Sequence, residues 1–252
     1  MAIITVNNQK GGVGKTTITF NLCKGLEERG YKVLAVDNDP QGNLTSAFLE
    51  DPTQLKADIL NIYQNNVEVQ PEQLSEKLFL IGSTIHLAKT ADNDFDIIFR
   101  LKEGIEAFNK EFDFVLIDCL PSFGYLNMAS LNASDYVLIP VKPAPFALAG
   151  IKDLFDTIDK AKNRLNQNLK VLGIILNLVE GRKTTIGDEL ERVLRDTYND
   201  MVFSTCINKG VKLEESPAFN QSIMEYDSKG KQAIQFNQFL DEFLKRYEKQ
   251  KK

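Results

Sequence analysis

The sequence predicts an α/β fold built on a mostly parallel, twisted sheet with helices on both faces. Short runs of β-branched and apolar residues alternate with segments of helical periodicity, as in parallel strands joined by crossover helices. The runs at 33–37, 114–118 and 171–176 are continuously apolar apart from the aspartates that end two of them. Such strands are covered on both faces. No linker rich in Pro, Gly or Ser interrupts residues 1–252, so we expect a single domain.

The predicted elements follow one another at regular spacing. A first strand covers residues 2–6, and helical periodicity starts soon after it, with Ile18, Leu22 and Leu26 four residues apart. Further strands are predicted at 32–37, 78–82, 114–118, 136–141, 170–177 and 202–207. Helices are predicted at 15–29, 95–110, 148–164, 184–198 and 230–248. Residues 43–75 show the weakest periodicity, and we assign no element to them.

Composition excludes several classes of protein. The chain has 252 residues, of which 43% are apolar, enough for a sizeable core. Its three cysteines show no C-x-x-C spacing, which favours buried thiols in the cytosol over a disulfide framework or an iron–sulfur cluster. No apolar run approaches the roughly 20 residues of a membrane span, and no signal-peptide pattern begins the sequence.

Charge is distributed unevenly along the chain. The formal net charge is −5, which by itself argues against a nucleic-acid partner. Residues 141–252, however, carry 19 Lys and Arg against 16 Asp and Glu. The second half can therefore hold a local anion-binding surface, although most surface lysines only interact with solvent.

A glycine-rich turn follows the first strand. Residues 10–17 read K-G-G-V-G-K-T-T and open the first helix. A strand that turns through glycines into a helix start presents free backbone N–H groups and the positive end of the helix dipole to polyphosphates. The strict pattern would have glycine in place of Gln9, and Lys10 is an additional lysine. We predict a phosphate-binding loop in which Lys15 faces the β- and γ-phosphates and Thr16 binds magnesium.

Two predicted strands deliver carboxylates. The strand at 114–118 ends at Asp118 in the Walker B form, and the strand at 32–37 ends at Asp37, with Asp39 close behind. Carboxylates at neighbouring strand ends repel one another unless a cation lies between them. A strand-terminal aspartate alone more often caps a turn. The phosphate loop upstream favours a metal–nucleotide site here.

These segments resemble the deviant Walker A, A′ and B motifs of the ParA/MinD superfamily of ATPases. The resemblance rests on Q-K-G-G-V-G-K-T-T at 9–17, D-N-D-P-Q-G-N at 37–43 and F-V-L-I-D at 114–118, and it continues to residue 217. It implies a single-domain P-loop NTPase fold. The segment at 37–43 is most similar to that of the short ParA/Soj partition proteins, which lack an N-terminal helix-turn-helix domain.

The resemblance implies roles in ATP hydrolysis for individual residues. The implied catalytic residues are Lys15, Asp39 and Lys10. Asp39 orients the attacking water, and Lys10 reaches across a nucleotide-sandwich homodimer to the partner's phosphates. Magnesium is held by Thr16, Asp37 and Asp118, and the adenine side by Asn177 and Lys209. The loop residues that bind ATP are Lys10, Gly11, Gly12, Val13, Gly14, Lys15, Thr16 and Thr17. A strand-end cap is the alternative role for Asn177.

The resemblance also implies partners. In the ATP state the homodimer binds DNA without sequence preference, and a ParB-like centromere-binding protein stimulates hydrolysis. The chain would then be a cytoplasmic, nucleoid-associated protein that segregates a plasmid or chromosome. The DNA surface maps onto Arg182, Lys183, Lys209 and Lys212. Where the family has arginines at Lys209 and Lys212, lysine keeps the charge and loses the bidentate geometry.

Two other departures from the family pattern concern loops. Leu120 and Asn208 stand where the family commonly has proline. We expect the first to alter the stiffness of a loop at the dimer interface.

Other hypotheses remain open. A superfamily member could position a protein cargo, or act at a membrane as MinD does. The amphipathic C-terminal pattern of Phe236, Phe239, Leu240, Phe243, Leu244 and Tyr247 suits a membrane-surface helix, but acidic residues dilute its basic side and favour packing into the core. A metabolic P-loop enzyme, such as a ligase or an iron–sulfur reductase, is the alternative from another class. The reductase hypothesis is weak because this chain has no pair of cysteines placed to hold a cluster between subunits.

Overall fold

Eight strands form one sheet in the structure, a computed structural model that describes residues 1–64, 69–90, 95–108, 111–122, 124–145, 147–180 and 185–251. The strands are β1 (Ala2–Val6), β2 (Val33–Asn38), β3 (Glu72–Gln73), β4 (Leu78–Ile81), β5 (Phe114–Cys119), β6 (Tyr136–Val141), β7 (Lys170–Val179) and β8 (Val202–Asn208). Their order is β3-β4-β2-β5-β1-β6-β7-β8. Only the β3–β4 pair at the edge of this sheet is antiparallel.

Helices connect the strands. Those in the described residues are α1 (Lys15–Glu28), α2 (Asn43–Phe48), α3 (Leu60–Tyr63), α4 (Ile97–Glu106), α5 (Tyr125–Ala133), α6 (Ala147–Arg164), α7 (Thr185–Tyr198), α8 (Val211–Glu215), α9 (Ile223–Tyr226) and α10 (Lys231–Lys251). Short 3-10 turns lie at Pro52–Gln54, Ile85–Lys89, Asn199–Met201 and Ser216–Phe219. Within the described ranges, no helix combines the length and hydrophobicity that crossing a membrane requires.

The strands bury side chains on both sides of the sheet. Ile4 and Leu116 pack with α1 and α10 on one face, whereas Ile3 and Val115 pack with α4 and α5 on the other. The second face continues over β6 and β7 with α6. The predicted α/β class, with a mostly parallel sheet and helices on both faces, is confirmed.

Helix α10 packs into the core. Its aromatic residues Phe236, Phe239 and Phe243 are fully buried beside Phe203 and Phe114. The apolar side of this helix is therefore occupied by the sheet, which excludes α10 as a membrane-surface helix in this conformation.

The predicted strands are confirmed to within about two residues, and so are the cores of the predicted helices. The sequence analysis missed α5, because its polar residues are buried and blur the helical period. Asn127 bonds to Asn7, Ser130 to the Leu126 carbonyl, and Asn132 to the Ile98 carbonyl. It also missed β3 and the short helices α2, α3, α8 and α9, which are too brief to show a period.

Candidate functional site

Three motif-bearing strands lie side by side in the middle of the sheet. Strand β5 is flanked by β2 and β1, so Asp37 and Asp118 are register partners, as are Val6 and Asp118. The segments that follow β1, β2 and β5 therefore leave the same edge of the sheet. The carboxyl edge of a parallel sheet is where α/β folds bind ligands.

The glycine-rich turn after β1 has the backbone conformation that its glycines permit. Gly12 and Gly14 have φ values of 69° and 84°, in the left-handed region. A Cβ atom at Gly14 would overlap the side-chain amide of Asn177, whereas one at Gly11 or Gly12 would meet no atom within 4 Å. The loop is thus packed tightly on its inner side and open on its outer side, where phosphates have room.

Side chains anchor this loop to three neighbouring elements. Asn8 Nδ2 donates to the Pro140 carbonyl at 2.8 Å, and Asn177 Nδ2 donates to the Val13 carbonyl at 2.9 Å. Gln9, which replaces the glycine of the strict pattern, donates from Nε2 to Thr157 Oγ1 on α6 at 2.8 Å. The departure at Gln9 therefore ties the loop to a helix, and the loop is held in place without a ligand.

The two lysines of the loop point to different places. Lys15 is only 7% exposed, and its Nζ donates to the Lys10 carbonyl at 3.3 Å. Burial lowers the pKa of Lys15, while the negative charges of Asp118 and Asp39 oppose this shift. The exposed Lys10 instead donates from Nζ to the Pro145 carbonyl at 3.3 Å. The Lys15 side chain thus lies inside the loop, and the Lys10 side chain extends away from it.

Hydroxyl groups hold the two buried carboxylates. Thr16 Oγ1 donates to Asp118 Oδ2 at 2.6 Å, and Thr19 Oγ1 to Asp118 Oδ1 at 3.3 Å. Thr45 donates to Asp37 Oδ2 from its backbone nitrogen at 2.8 Å and from Oγ1 at 2.7 Å. The predicted metal residues Thr16, Asp37 and Asp118 therefore lie together at the foot of the loop.

The pKa values of both carboxyl groups are raised, so a nearby cation would stabilise their charged forms. Burial, followed by the charge of Asp37, raises the pKa of Asp118 to about 8. Burial also raises the pKa of Asp37 to about 6, against the bonds from Thr45. In the described part of the chain no three His, Cys, Asp or Glu side chains cluster as a metal site. Oxygen donors of this kind fit Mg²⁺, which completes its shell with water and phosphate oxygens.

Asp39 lies in the turn that follows β2. It is 8% exposed, and its Oδ1 accepts a bond from the Gln41 backbone nitrogen at 2.9 Å. The turn closes at Gly42, whose φ of 63° is left-handed. Within the described residues no group donates to the second oxygen of Asp39, which leaves that oxygen available to a water molecule.

Of the residues predicted to contact adenine, Asn177 lies near the carboxyl end of β7, and Lys209 directly follows β8. Asn177 is fully buried, and its Oδ1 atom has no hydrogen-bond partner among the residues that the structure describes. Lys209 is exposed, and its backbone nitrogen donates to the Val179 carbonyl at 2.9 Å. The observed bond from Asn177 to Val13 shows that Asn177 supports the loop, and the adenine contacts stay predictions.

Asn208 forms three hydrogen bonds through its side chain and backbone. It donates from Nδ2 to the Val179 carbonyl at 3.0 Å, and its Oδ1 accepts from Gln235 Nε2 at 2.6 Å. Its backbone nitrogen donates to Gln235 Oε1 at 3.0 Å. These three bonds fix the start of the segment that carries Lys209 and Lys212, in place of the rigidity that a proline would supply. Leu120, the other departure, packs against the core on the α4–α5 face.

Of the four predicted DNA-binding residues, two can be placed. Arg182 and Lys183 lie outside the described residues. Lys209 and Lys212 follow the carboxyl end of β8, and both are exposed. Lys212 is not a free cation, because its Nζ lies 3.0 Å from Asp227 Oδ2.

Sequence reasoning missed several supporting residues. Thr19 could have been found, because it lies one helical turn after Thr16 and therefore on the same face of α1. Asn8, Thr45 and Asp227 act through contacts between distant segments, for which the sequence offers no local signal.

Comparisons with known proteins agree with this geometry. A family profile described as an AAA domain matches residues 1–171. The chain is 34% identical over 241 residues to the sporulation initiation inhibitor protein Soj of Bacillus subtilis, covering 92% of this chain and 93% of Soj. It is also 34% identical over 254 residues to the chromosome partitioning protein ParA of Myxococcus xanthus, covering 97% and 88% of the two chains. The chain belongs to the ParA/MinD-type ATPases.

Solved structures superpose on this ParA/MinD-type chain over nearly its whole length. A cobyrinic acid a,c-diamide synthase from Mycobacterium smegmatis, with bound ATP analogue and magnesium, superposes with a TM-score of 0.84 at 29% identity, covering 98% and 96% of the two chains. A plasmid partition protein from Borrelia burgdorferi gives a TM-score of 0.78 at 26% identity, covering 97% and 98%. The Mycobacterium smegmatis synthase thus binds an ATP-type nucleotide with magnesium on the same fold.

Proposed function

We propose that this chain binds MgATP, forms an ATP-dependent homodimer and hydrolyses ATP to drive DNA partition. The observation that carries the proposal is the arrangement of the two lysines. Lys15 is buried within its own loop, while Lys10 extends outward to the Pro145 carbonyl. A second copy placed against this loop would bring its own Lys10 to the phosphates, so that each site is completed by the partner.

The residues divide the work of hydrolysis. The backbone amides of 11–17 and Lys15 hold the phosphates, and Lys10 of the other copy offsets the charge that develops as the γ-phosphoryl group is transferred. Thr16 would hold Mg²⁺ through its hydroxyl group, and Asp37 and Asp118 would hold the water ligands of the ion. The ion would supply positive charge against the phosphates. Asp39 orients the attacking water with the oxygen that no described group occupies.

We further propose that the ATP dimer binds DNA through the basic second half of the chain. Non-specific binding requires only cations that replace counterions on the phosphate backbone. Lys209 and Lys212 are exposed after β8, and Arg182 and Lys183 belong to the same proposal from the sequence. The relatives named as partitioning proteins support this task. A ParB-like partner would stimulate hydrolysis, and the ATP form would reside on the nucleoid.

Co-sedimentation tests which surface the ATP state binds. The chain is incubated with random-sequence duplex DNA or with anionic liposomes, each with ATP or ADP. We expect the chain to bind DNA in the presence of ATP and not in the presence of ADP. Binding to liposomes instead of DNA would favour the MinD-like hypothesis, and binding to neither would favour a protein cargo.

One comparison supports a metabolic alternative. The Mycobacterium smegmatis neighbour is named as a synthase, so a ligase activity that consumes ATP is the second candidate. The higher identity to Soj and ParA favours partition. A ligase would hydrolyse ATP in response to a small-molecule acid, whereas a partition ATPase responds to DNA.

A further inference from the structure

We propose that Asp227 sets the DNA affinity of this chain by competing with DNA phosphates for the ammonium group of Lys212. The inference rests on the proposed function, because it concerns the same DNA-binding surface. The proposed DNA-binding surface otherwise contains only lysine and arginine residues. Asp227 would be an acidic residue of that surface, and it would lower the affinity for DNA.

The contact joins two short helices. Lys212 lies in α8, and Asp227 is the residue directly after α9. Lys212 Nζ lies 3.0 Å from Asp227 Oδ2, and the two side chains are 58% and 23% exposed. DNA can therefore approach the ammonium group, while the carboxylate lies mostly behind it.

The carboxylate is the fixed member of the pair. The Asp227 backbone nitrogen donates to the Ile223 carbonyl at 3.0 Å, and Gly230 donates to the Asp227 carbonyl at 2.7 Å. A Cβ atom at Gly230 would overlap the Asp227 carboxylate, so the glycine makes space for it. Backbone bonds on both sides hold Asp227 in a tight turn.

This turn is also attached to the nucleotide-binding helix. Asn21 of α1 accepts a bond from the Ile223 backbone nitrogen at 2.7 Å and donates to the Thr17 carbonyl at 2.9 Å. Hydrogen bonds through Asn21 therefore connect the segment that carries Asp227 to the helix that begins at the phosphate loop. Lys212 has a flexible four-carbon stem, and it is the member that can exchange its partner.

The energetic scale suits an adjustable contact. Exposed ion pairs change an equilibrium constant only a few-fold, because solvent screens them and side-chain entropy opposes them. DNA phosphates, which are dense and release counterions, can displace such a carboxylate. Lys209, by contrast, forms no ion pair with any residue that the structure describes, so its charge is available at once. Asp227 thus tunes affinity without preventing binding.

The experiment compares two carboxylate-to-amide changes of equal charge. Asp227→Asn frees Lys212, whereas the control Asp241→Asn breaks the Arg29–Asp241 pair, whose atoms are 2.9 Å apart on α1 and α10. Both raise the net charge by one. Affinity for a random-sequence duplex is measured with ATP, for each variant with Lys212 intact and with Lys212→Ala.

We expect Asp227→Asn to bind DNA on the order of tenfold more tightly than wild type, a few-fold for each of two copies. Asp241→Asn should change affinity much less. In the Lys212→Ala background, the advantage of Asp227→Asn over Asp241→Asn should disappear. Unfolding curves and ATP binding show whether each variant is folded.

The outcomes separate this inference from the proposed function. If wild type binds DNA with ATP but Asp227→Asn binds no more tightly than Asp241→Asn, the competition is refuted and the DNA-binding function stands. A gain that persists with Lys212→Ala also refutes it, because Lys212 is then not involved. If neither wild type nor any variant binds DNA, both the function and the inference fail.

Discussion

The phosphate-loop end of the molecule and its outward-facing lysines differ in how completely their contacts are satisfied. At the loop, Asn8, Gln9 and Asn177 anchor the backbone, and Thr16 and Thr45 orient the carboxylates. The ammonium groups of the exposed lysines 10, 209 and 212 make at most one weak or solvent-exposed contact each with the described residues. The residues around the phosphate loop are therefore held in place by contacts within the described chain, whereas the ammonium groups of Lys10, Lys209 and Lys212 are held by few such contacts.

The largest effect should come from the buried lysine. Lys15→Ala removes the cation beside the β- and γ-phosphates, so ATP affinity should fall about 1,000-fold, as when one member of a buried charge contact is deleted. Isothermal titration calorimetry measures this affinity. Lys24→Ala, on the same helix but paired with Glu225 at 3.5 Å, is the matched control and should bind normally. Normal binding by Lys15→Ala would refute the phosphate-loop assignment.

The features that the sequence predicted correctly depend on local patterns. Continuous apolar runs indicated strands covered on both faces, and parallel strands place their carboxyl ends on one edge. This rule predicted that the loop, Asp37 and Asp118 would come together. It holds because β2, β5 and β1 are neighbours in the sheet.

The features that the sequence did not predict depend on contacts between distant segments. Helix α5 was missed because Asn127 and Asn132 are buried with partners at the residue after β1 and in α4. The role of Gln9 depends on its contact with Thr157, and the ion pair of Lys212 depends on Asp227. Only a folded structure brings such partners together.

The next effect concerns the water-orienting carboxylate. Asp39→Asn keeps an oxygen that can accept the bond from Gln41 but loses the charge, so ATP should bind normally and hydrolysis should slow about 100-fold. Phosphate release under saturating ATP measures the rate. A normal rate would show that Asp39 serves only the turn.

Mixing variants tests whether Lys10 acts on the partner's site. Lys10→Ala alone should hydrolyse ATP about 30-fold more slowly, because a transition-state cation is lost. When it is mixed with Asp39→Asn, the site that holds Asp39 receives Lys10 from the other copy, and activity should recover. No recovery despite formation of mixed dimers would mean that Lys10 acts within its own chain.

The smallest effect is on the stability of the nucleotide-free protein. Burial raises the pKa of Asp118 to about 8, above that of an unfolded aspartate. The folded form thus binds more protons between pH 4 and 8 than the unfolded form. The contribution of Asp118 to the free energy of unfolding should therefore fall as the pH rises through this range. Asp118→Asn should be more stable than wild type by about 1–3 kcal/mol at pH 8 and by little at pH 4.

Urea unfolding at the two pH values measures this difference, with Asp58→Asn as a partly exposed control. Equal effects of Asp118→Asn at both pH values would contradict a buried, repelling carboxylate pair.

ATP should bring two copies of this chain together. Light scattering coupled to size exclusion measures the mass of Asp39→Asn, which should retain ATP, in three conditions: without nucleotide, with ADP, and with ATP and magnesium. We expect the mass of one chain in the first two conditions and twice that mass in the third. One chain mass in all three conditions, or a dimer that forms without nucleotide, would contradict it.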